Sequence, residues 1–362
     1  IWSQNNEHIN KPVIIYFYGG GFVNGHGSQE LYTPEYIVEQ HDVIVITFNY
    51  RLGALGFLDW SYFNKNNDKN NGLSDQINVL KWVHTFITYF GGNPNNITLM
   101  GQSAGSMSIM ALMQQPELDQ YYHQVMLLSG SLRLDSQLLG QEKAAHFESL
   151  IHTYYPDKHI TDLTATDILT LMSYDEASRG QSKGLELIYA PIKDSNMSRP
   201  LSQFTKPLVI GTTKDEGNIY IRNESRKLSP ERFIEVMKLN DINLNISQVQ
   251  TGEEQARMVT LHYFEAPVCS LLNTLKHHRY CWKLRFDWCL PNQSPFQSAY
   301  HILDLVFWFG KVNILKTHGI QSLEHERRLS TFMIRDLVYF ATHHAMPWPT
   351  YSINTPYCHI YK

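Results

Sequence analysis

Cysteine is scarce in this chain: four in 362 residues, all in the last third (Cys269, Cys281, Cys289, Cys358), and none in a C-x-x-C pair. That spacing does not suit a structural zinc site, and reduced, mostly buried thiols are expected. Excess charge is also lacking. A net charge of −4 and a pI near 6.5 give no electrostatic basis for binding nucleic acid or an anionic membrane. No apolar run approaches the length of a transmembrane helix, so no stable membrane insertion is expected. Repeats and low-complexity tracts are missing as well. What remains is ordinary globular composition, 43% hydrophobic and 18% charged, enough for one large α/β domain or two small ones. The chain opens on Ile1 rather than methionine and reaches apolar Val13 within a few residues. A preceding segment is therefore expected, and a signal peptide cannot be read from this text.

Punctuated apolar runs are abundant. Pro12 to Phe17, Val43 to Thr47, Ile97 to Met100, Gln124 to Leu128 and Leu208 to Ile210 read as buried strands. Ser74 or Asp75 can cap a helix carrying Val79, Leu80, Val83, Phe86, Ile87 and Phe90 at helical spacing, ended by Gly91-Gly92. The asparagine-rich stretch Asn64 to Asn71 reads as a solvated loop. Continuous apolar strands alternating with helices predict a mostly parallel sheet covered on both faces, and reactive groups gather beyond the carboxyl ends of such strands.

One of those ends carries Gly101-Gln-Ser-Ala-Gly105. By itself G-x-S-x-G is a common turn sequence. A strand before it and the helix-compatible Met107, Ile109, Met110 and Leu112 after it give it the strand-to-helix setting that exposes a serine hydroxyl. Ser103 is accordingly the candidate nucleophile. After Phe17 comes Tyr18-Gly-Gly-Gly-Phe22. Its bare backbone N–H groups suit an oxyanion; without a following GK[ST] it is not a phosphate loop.

Taken together, Tyr18-Gly-Gly-Gly-Phe22, Asn49-Tyr-Arg-Leu-Gly53 with Gly56-Phe-Leu58, Asn71-Gly-Leu-Ser-Asp-Gln76, Phe90-Gly-Gly-Asn-Pro94 and Gly101-Gln-Ser-Ala-Gly105 resemble the type-B carboxylesterase family. That family includes cholinesterases and bacterial para-nitrobenzyl esterases. The likeness is dense from Lys11 to Ser131 and returns at Lys214 to Gly217, His301 to Gly310 and Trp348 to Tyr351. It implies a single α/β-hydrolase domain over 1–362, with serine, acid and histidine in that chain order. By position the triad is Ser103, Glu216 in Lys214-Asp-Glu-Gly217, and His301 in the H-x-x-D-L frame. Gly20, Gly21 and Ala104 match the family's three oxyanion donors. Asp215 is expected to be solvated or a local hydrogen-bonder. Of 17 histidines, the doublets His277-His278 and His343-His344 lack the frame and read as surface or structural. The implied reaction is ester hydrolysis through an acyl-enzyme, with a small-molecule ester as partner and no metal or organic cofactor.

The departures are informative. Gln102 stands where the family usually has glutamate, and Tyr18 where many esterases have histidine; neither change removes a triad or oxyanion group. The family's amino-terminal section, with its choline-site tryptophan, is not in this sequence. Short-to-medium uncharged esters are therefore expected over choline esters and long triglycerides, with Phe307 and Trp308 as candidates for narrowing the pocket. The disulfide cysteine that secreted members carry after Ser129-Gly-Ser131 is missing, which favours a bacterial-type cytoplasmic enzyme; secretion stays open. Four N-x-S/T sequons, at Asn96, Asn196, Asn223 and Asn245, carry little weight in so asparagine-rich a chain. Two other classes compete: an inactive adhesion protein such as the neuroligins, which lose the serine kept here, and a lipase, which would present a large apolar lid.

Overall fold

Seven strands pair in parallel, in the order β2-β1-β3-β4-β5-β6-β7: β1 (Lys11–Phe17), β2 (Ile44–Thr47), β3 (Gly92–Gln102), β4 (Gln124–Leu128), β5 (Leu208–Thr213), β6 (Cys281–Phe286) and β7 (His359–Tyr361). The computed structural model describes residues 1–4, 9–178, 185–221, 226–275, 280–320 and 322–362. His277, His278 and the Asn223 sequon lie outside these residues. The five expected strands are all present, and β3 begins earlier than Ile97, at Gly92. The other two had no apolar run to announce them. β6 interrupts its buried positions with half-buried Lys283 and Arg285, and β7 is three residues long.

Helix α1 (Asn71–Phe86) starts ahead of the expected cap. Asp75 does not cap it. Its carboxylate is bidentate to Arg51, receiving Nε at 2.8 Å and the second guanidinium nitrogen at 2.7 Å, and it also receives the Arg51 N–H at 2.9 Å. Leu80, Val83 and Ile87 are buried as the spacing requires, whereas Phe86 and Phe90 are exposed. A tighter 3-10 turn over Ile87–Phe90 changes the spacing at Phe90 before Gly91 ends it at φ 80°; Phe86, still in the α-helix, lies beside Trp82 on the outer face. Helix α2 (Ala104–Leu112) is buried at every residue. Helix α3 (Glu324–His343) buries Met333, Ile334, Leu337 and Phe340 in the sheet core. A second, smaller apolar cluster gathers Phe233, Met237, Val249, Val259 and Phe264 from the short helices Pro230–Lys238 and Gly252–Val259, the segment between them and the turn after them. Three of the four unpaired cysteines are half-buried and Cys281 is buried.

The asparagine stretch is solvated only in part. Residues 64–68 are exposed, but Asn70 is buried with φ 60°. Its amide nitrogen donates to the Ile192 carbonyl at 2.7 Å, and its amide oxygen accepts from the Ile192 N–H at 2.7 Å. Asparagine tolerates that left-handed backbone better than other residues with a side chain. Asn70→Ala should therefore cost about 2–4 kcal/mol, from two orphaned backbone groups and a strained φ. Urea unfolding measures it; a change below about 0.5 kcal/mol, ordinary for a surface site, would mean that the pairing carries no weight.

Candidate active site

Beyond the carboxyl end of β3 the chain turns at Ser103, with φ 53° and ψ −123°, directly into α2. A non-glycine residue in that region is strained and persists only where its surroundings fix it. The Ser103 N–H donates to the Leu128 carbonyl at 2.9 Å. Ser106 Oγ lies 2.6 Å from the Gly101 carbonyl and 2.9 Å from both the Leu128 carbonyl and its N–H. Gly105 lets the helix settle: a Cβ there would stand 2.0 Å from the Phe17 carbonyl oxygen.

The glycine turn after β1 faces the same point. Gly20 and Gly21 have φ of 119° and 61°. The turn's carbonyls are engaged, Gly20 by Val23 and Asn24 N–H, Phe22 by Gly53 N–H, Tyr18 by the Tyr50 hydroxyl. Among the described residues nothing accepts from the Gly20 or Gly21 N–H. Ala104 opens α2, so its N–H belongs to the unpaired first turn of a helix. All three line one cavity of about 790 Å³ together with Ser103 and His301.

Glu216 is fully buried. One carboxylate oxygen accepts the Thr213 N–H at 2.7 Å; the other lies 2.5 Å from His301 Nδ1. Asp215, as expected, is a local hydrogen-bonder: its N–H donates to the Ala299 carbonyl at 3.0 Å, and its carboxylate accepts the Ala299 N–H at 3.0 Å. That reciprocal pair ties the acid's turn to the segment carrying the base. Ile302, just after the base, is held at φ 78°, strained for a β-branched residue. Five of the six expected residues thus line one cavity, and Glu216 lies behind it, bonded directly to His301.

Other placements differ from the sequence reading. The other ring nitrogen of His301 meets the Gln102 amide nitrogen at 3.2 Å, and no hydrogen bond joins it to Ser103 among the described residues. Catalytic hydrogen bonds are often loose before substrate binds. With Glu216 accepting from Nδ1–H, the Gln102 amide donates to an Nε2 lone pair, which is the tautomer a base needs. Phe307 and Trp308 do not narrow the pocket. Both are fully buried, Phe307 against Phe286 and Trp288, Trp308 against Tyr361. The rings beside His301 are Tyr220 and Phe264, at 5.6 and 5.1 Å, and no spacing in the sequence marks either. His343 is exposed and bonds its own helix at the Tyr339 carbonyl, and His344 bonds the Asn96 side chain; one is a surface and the other a structural histidine, within the expectation.

Behind the triad, Asp304 is buried with one carboxyl oxygen unpartnered. Burial first, and then the neighbouring Glu216 charge, push its pKa up to about 7.

Comparisons with known proteins point to one family. A sequence model of the carboxylesterase family matches residues 1–360. The chain is 32% identical over 377 positions to a para-nitrobenzyl esterase of Bacillus subtilis (strain 168), spanning 98% of this chain and 76% of that one. A shorter match, 41% over 123 residues, relates 34% of this chain to 36% of an acetylcholinesterase of Myxine glutinosa. A solved thermophilic PNB esterase superposes at a TM-score of 0.88 and 28% identity, over 99% of this chain and 78% of that one. The sheet and these neighbours are those of the α/β-hydrolase fold. No helix among the described residues is long and apolar enough to cross a membrane.

Asp304 gives a pH test. Its pKa of about 7 in the folded state exceeds the ordinary value near 3.9 of an unfolded aspartate. Between those values the folded chain holds a proton that the unfolded chain has released, so stability falls as pH rises from about 4 to about 7 and then levels. Asp304→Asn should flatten the fall of the urea midpoint across that window. An unchanged slope would remove Asp304 as its source.

Proposed function

Because the chain belongs to the carboxylesterase family and is a carboxylic-ester hydrolase, we propose that Ser103, Glu216 and His301 carry its acyl-enzyme mechanism. His301 takes the Ser103 hydroxyl proton as the oxygen attacks the ester carbonyl. Glu216 fixes the imidazole's tautomer and stabilises its cation. The oxyanion accepts hydrogen bonds from the N–H groups of Gly20, Gly21 and Ala104. Collapse returns the proton to the departing alkoxide, and water then repeats the attack to release the acid. The observation that carries this reading is the 2.5 Å contact between buried Glu216 and His301 Nδ1, in the cavity that Ser103 lines. A cytoplasmic, bacterial-type setting belongs to the same proposal; unpaired thiols are compatible with a reducing compartment.

For substrates we infer short-to-medium uncharged esters over choline esters and long triglycerides. Gln102 brings no carboxylate beside His301 to attract a quaternary ammonium.

Two tests follow. Ser103→Ala should lower turnover by about 10⁴ to 10⁶, a range seen on loss of a serine-hydrolase nucleophile, and a fluorophosphonate should label Ser103. An adduct on another residue defeats the assignment. Separately, kcat/KM is compared for nitrophenyl butyrate, butyrylthiocholine and tributyrin. A tenfold preference for the thiocholine ester, about 1.4 kcal/mol of transition-state binding, would sink the substrate reading.

A further inference from the structure

The segment that leaves the carboxyl end of β4, Ser129 to Asp135, sends one cation to the cavity that holds Ser103. Arg133 is half-buried and lines that cavity together with Ser129 and Ser131. Its guanidinium carbon lies 3.6 Å from the centre of the Tyr263 ring. One nitrogen donates to Asn240 Oδ1 at 3.4 Å, a long and weak bond for a group with five N–H donors.

No carboxylate among the described residues pairs with Arg133. Five other arginines do hold one: Arg51 with Asp75, Arg199 with Asp119, Arg232 with Glu235, Arg285 with Asp287, and Arg335 with Asp336. Taking a cation out of water without a counter-charge is costly, and burial already lowers the Arg133 pKa. The Tyr263 face offsets only part of that cost. Glu176 and Glu186 line the same cavity but have other partners.

Tyr220 connects this cation to the reacting serine. Burial and Glu216 raise its phenol pKa, while Arg133 and Ser103 act in the opposite direction. The Tyr220 side chain therefore lies within reach of both. Arg133, Tyr220 and Ser103 line the same cavity, whose wall also carries Glu176, Glu186 and the exposed Arg226.

We propose that Arg133 is a substrate-binding residue: it forms an anion subsite that admits esters bearing a carboxylate away from the scissile bond, on the acyl or the alcohol side. The guanidinium fork suits a bidentate carboxylate, which would supply the counter-charge missing among the described residues. The proposal rests on the ester-hydrolase reading and extends its substrate range from uncharged to anionic esters.

The test uses two matched pairs, monoethyl adipate with ethyl pentanoate and 4-acetoxybenzoate with phenyl acetate, followed by proton release on the full chain. In at least one pair the wild type should turn over the anionic ester with a kcat/KM equal to or above its neutral partner. Arg133→Met should lower the anionic-to-neutral ratio by roughly tenfold to a hundredfold, the range for a charged hydrogen bond, chiefly through KM. Arg133→Lys should keep an intermediate ratio, and added salt should lower the wild-type ratio. Equal losses for both members of each pair on Arg133→Met would make Arg133 a mere tie to Tyr263 and Asn240, and would overturn the subsite alone. Strong discrimination by the wild type against the carboxylate in both pairs would overturn it too. Failure to hydrolyse any of the four esters would overturn the ester reading and the subsite with it.

Discussion

The site depends on how closely α2 can approach the carboxyl ends of β1 and β4. At Gly105 the helix backbone is so near the Phe17 carbonyl that a methyl group would have no room. Ser106 bonds to the carboxyl ends of two neighbouring strands, at Gly101 of β3 and Leu128 of β4. These contacts fix the strained φ of Ser103, which places its side chain in the cavity and its N–H on Leu128. The strain, of order 1–3 kcal/mol, is sustained by a helix buried at all its residues and by strands in parallel register on either side. The same approach brings the Ala104 N–H toward the turn that carries Gly20 and Gly21. Sheet packing and oxyanion geometry are one constraint.

A second constraint is electrostatic. Glu216, His301 and Asp304 share a buried region in which two carboxyl groups cannot both ionise cheaply. Glu216 has the Thr213 N–H and the imidazole as hydrogen-bond partners. Asp304 has an unpartnered oxygen, and its pKa rises to about 7. Asp304 therefore stays protonated and uncharged until the pH nears neutrality.

What the sequence disclosed follows from the range of each interaction. Ser103, Gly20, Gly21 and Ala104 lie in turns whose composition is dictated locally, by positive φ and by lack of space for side chains, so short motifs reveal them. Glu216 and His301 needed the family resemblance, because their meeting depends on the Asp215–Ala299 pairing across 84 positions. The helix start at Asn71 was misread because Asp75, a good cap by type, is held by Arg51. β6 was missed because its alternating cations look solvent-facing, yet Lys283 lies 3.4 Å from Cys269 Sγ. Tyr220, Phe264 and Arg133 carry no periodic signature. They reach the cavity from loops and from a small helical cluster whose position is a tertiary outcome.

Gln102 shows how one residue type changes the chemistry of a fixed geometry. Its amide nitrogen, 3.2 Å from His301, donates to a ring nitrogen only while that nitrogen keeps its lone pair. Glu216 on the opposite nitrogen selects the same tautomer. Only the Gln102 contact requires the neutral ring; the Glu216 carboxylate selects the tautomer and also stabilises the cation that forms later. The Gln102 amide oxygen is meanwhile buried without a partner, a cost of about 1–3 kcal/mol. Once His301 is protonated the preference inverts: an N–H now points at an N–H, and rotation of the amide would present its idle oxygen instead. A glutamate at this position could only accept. It would favour the imidazolium from the start and would draw cations into the cavity. The neutral amide gives up that attraction beside the reacting groups.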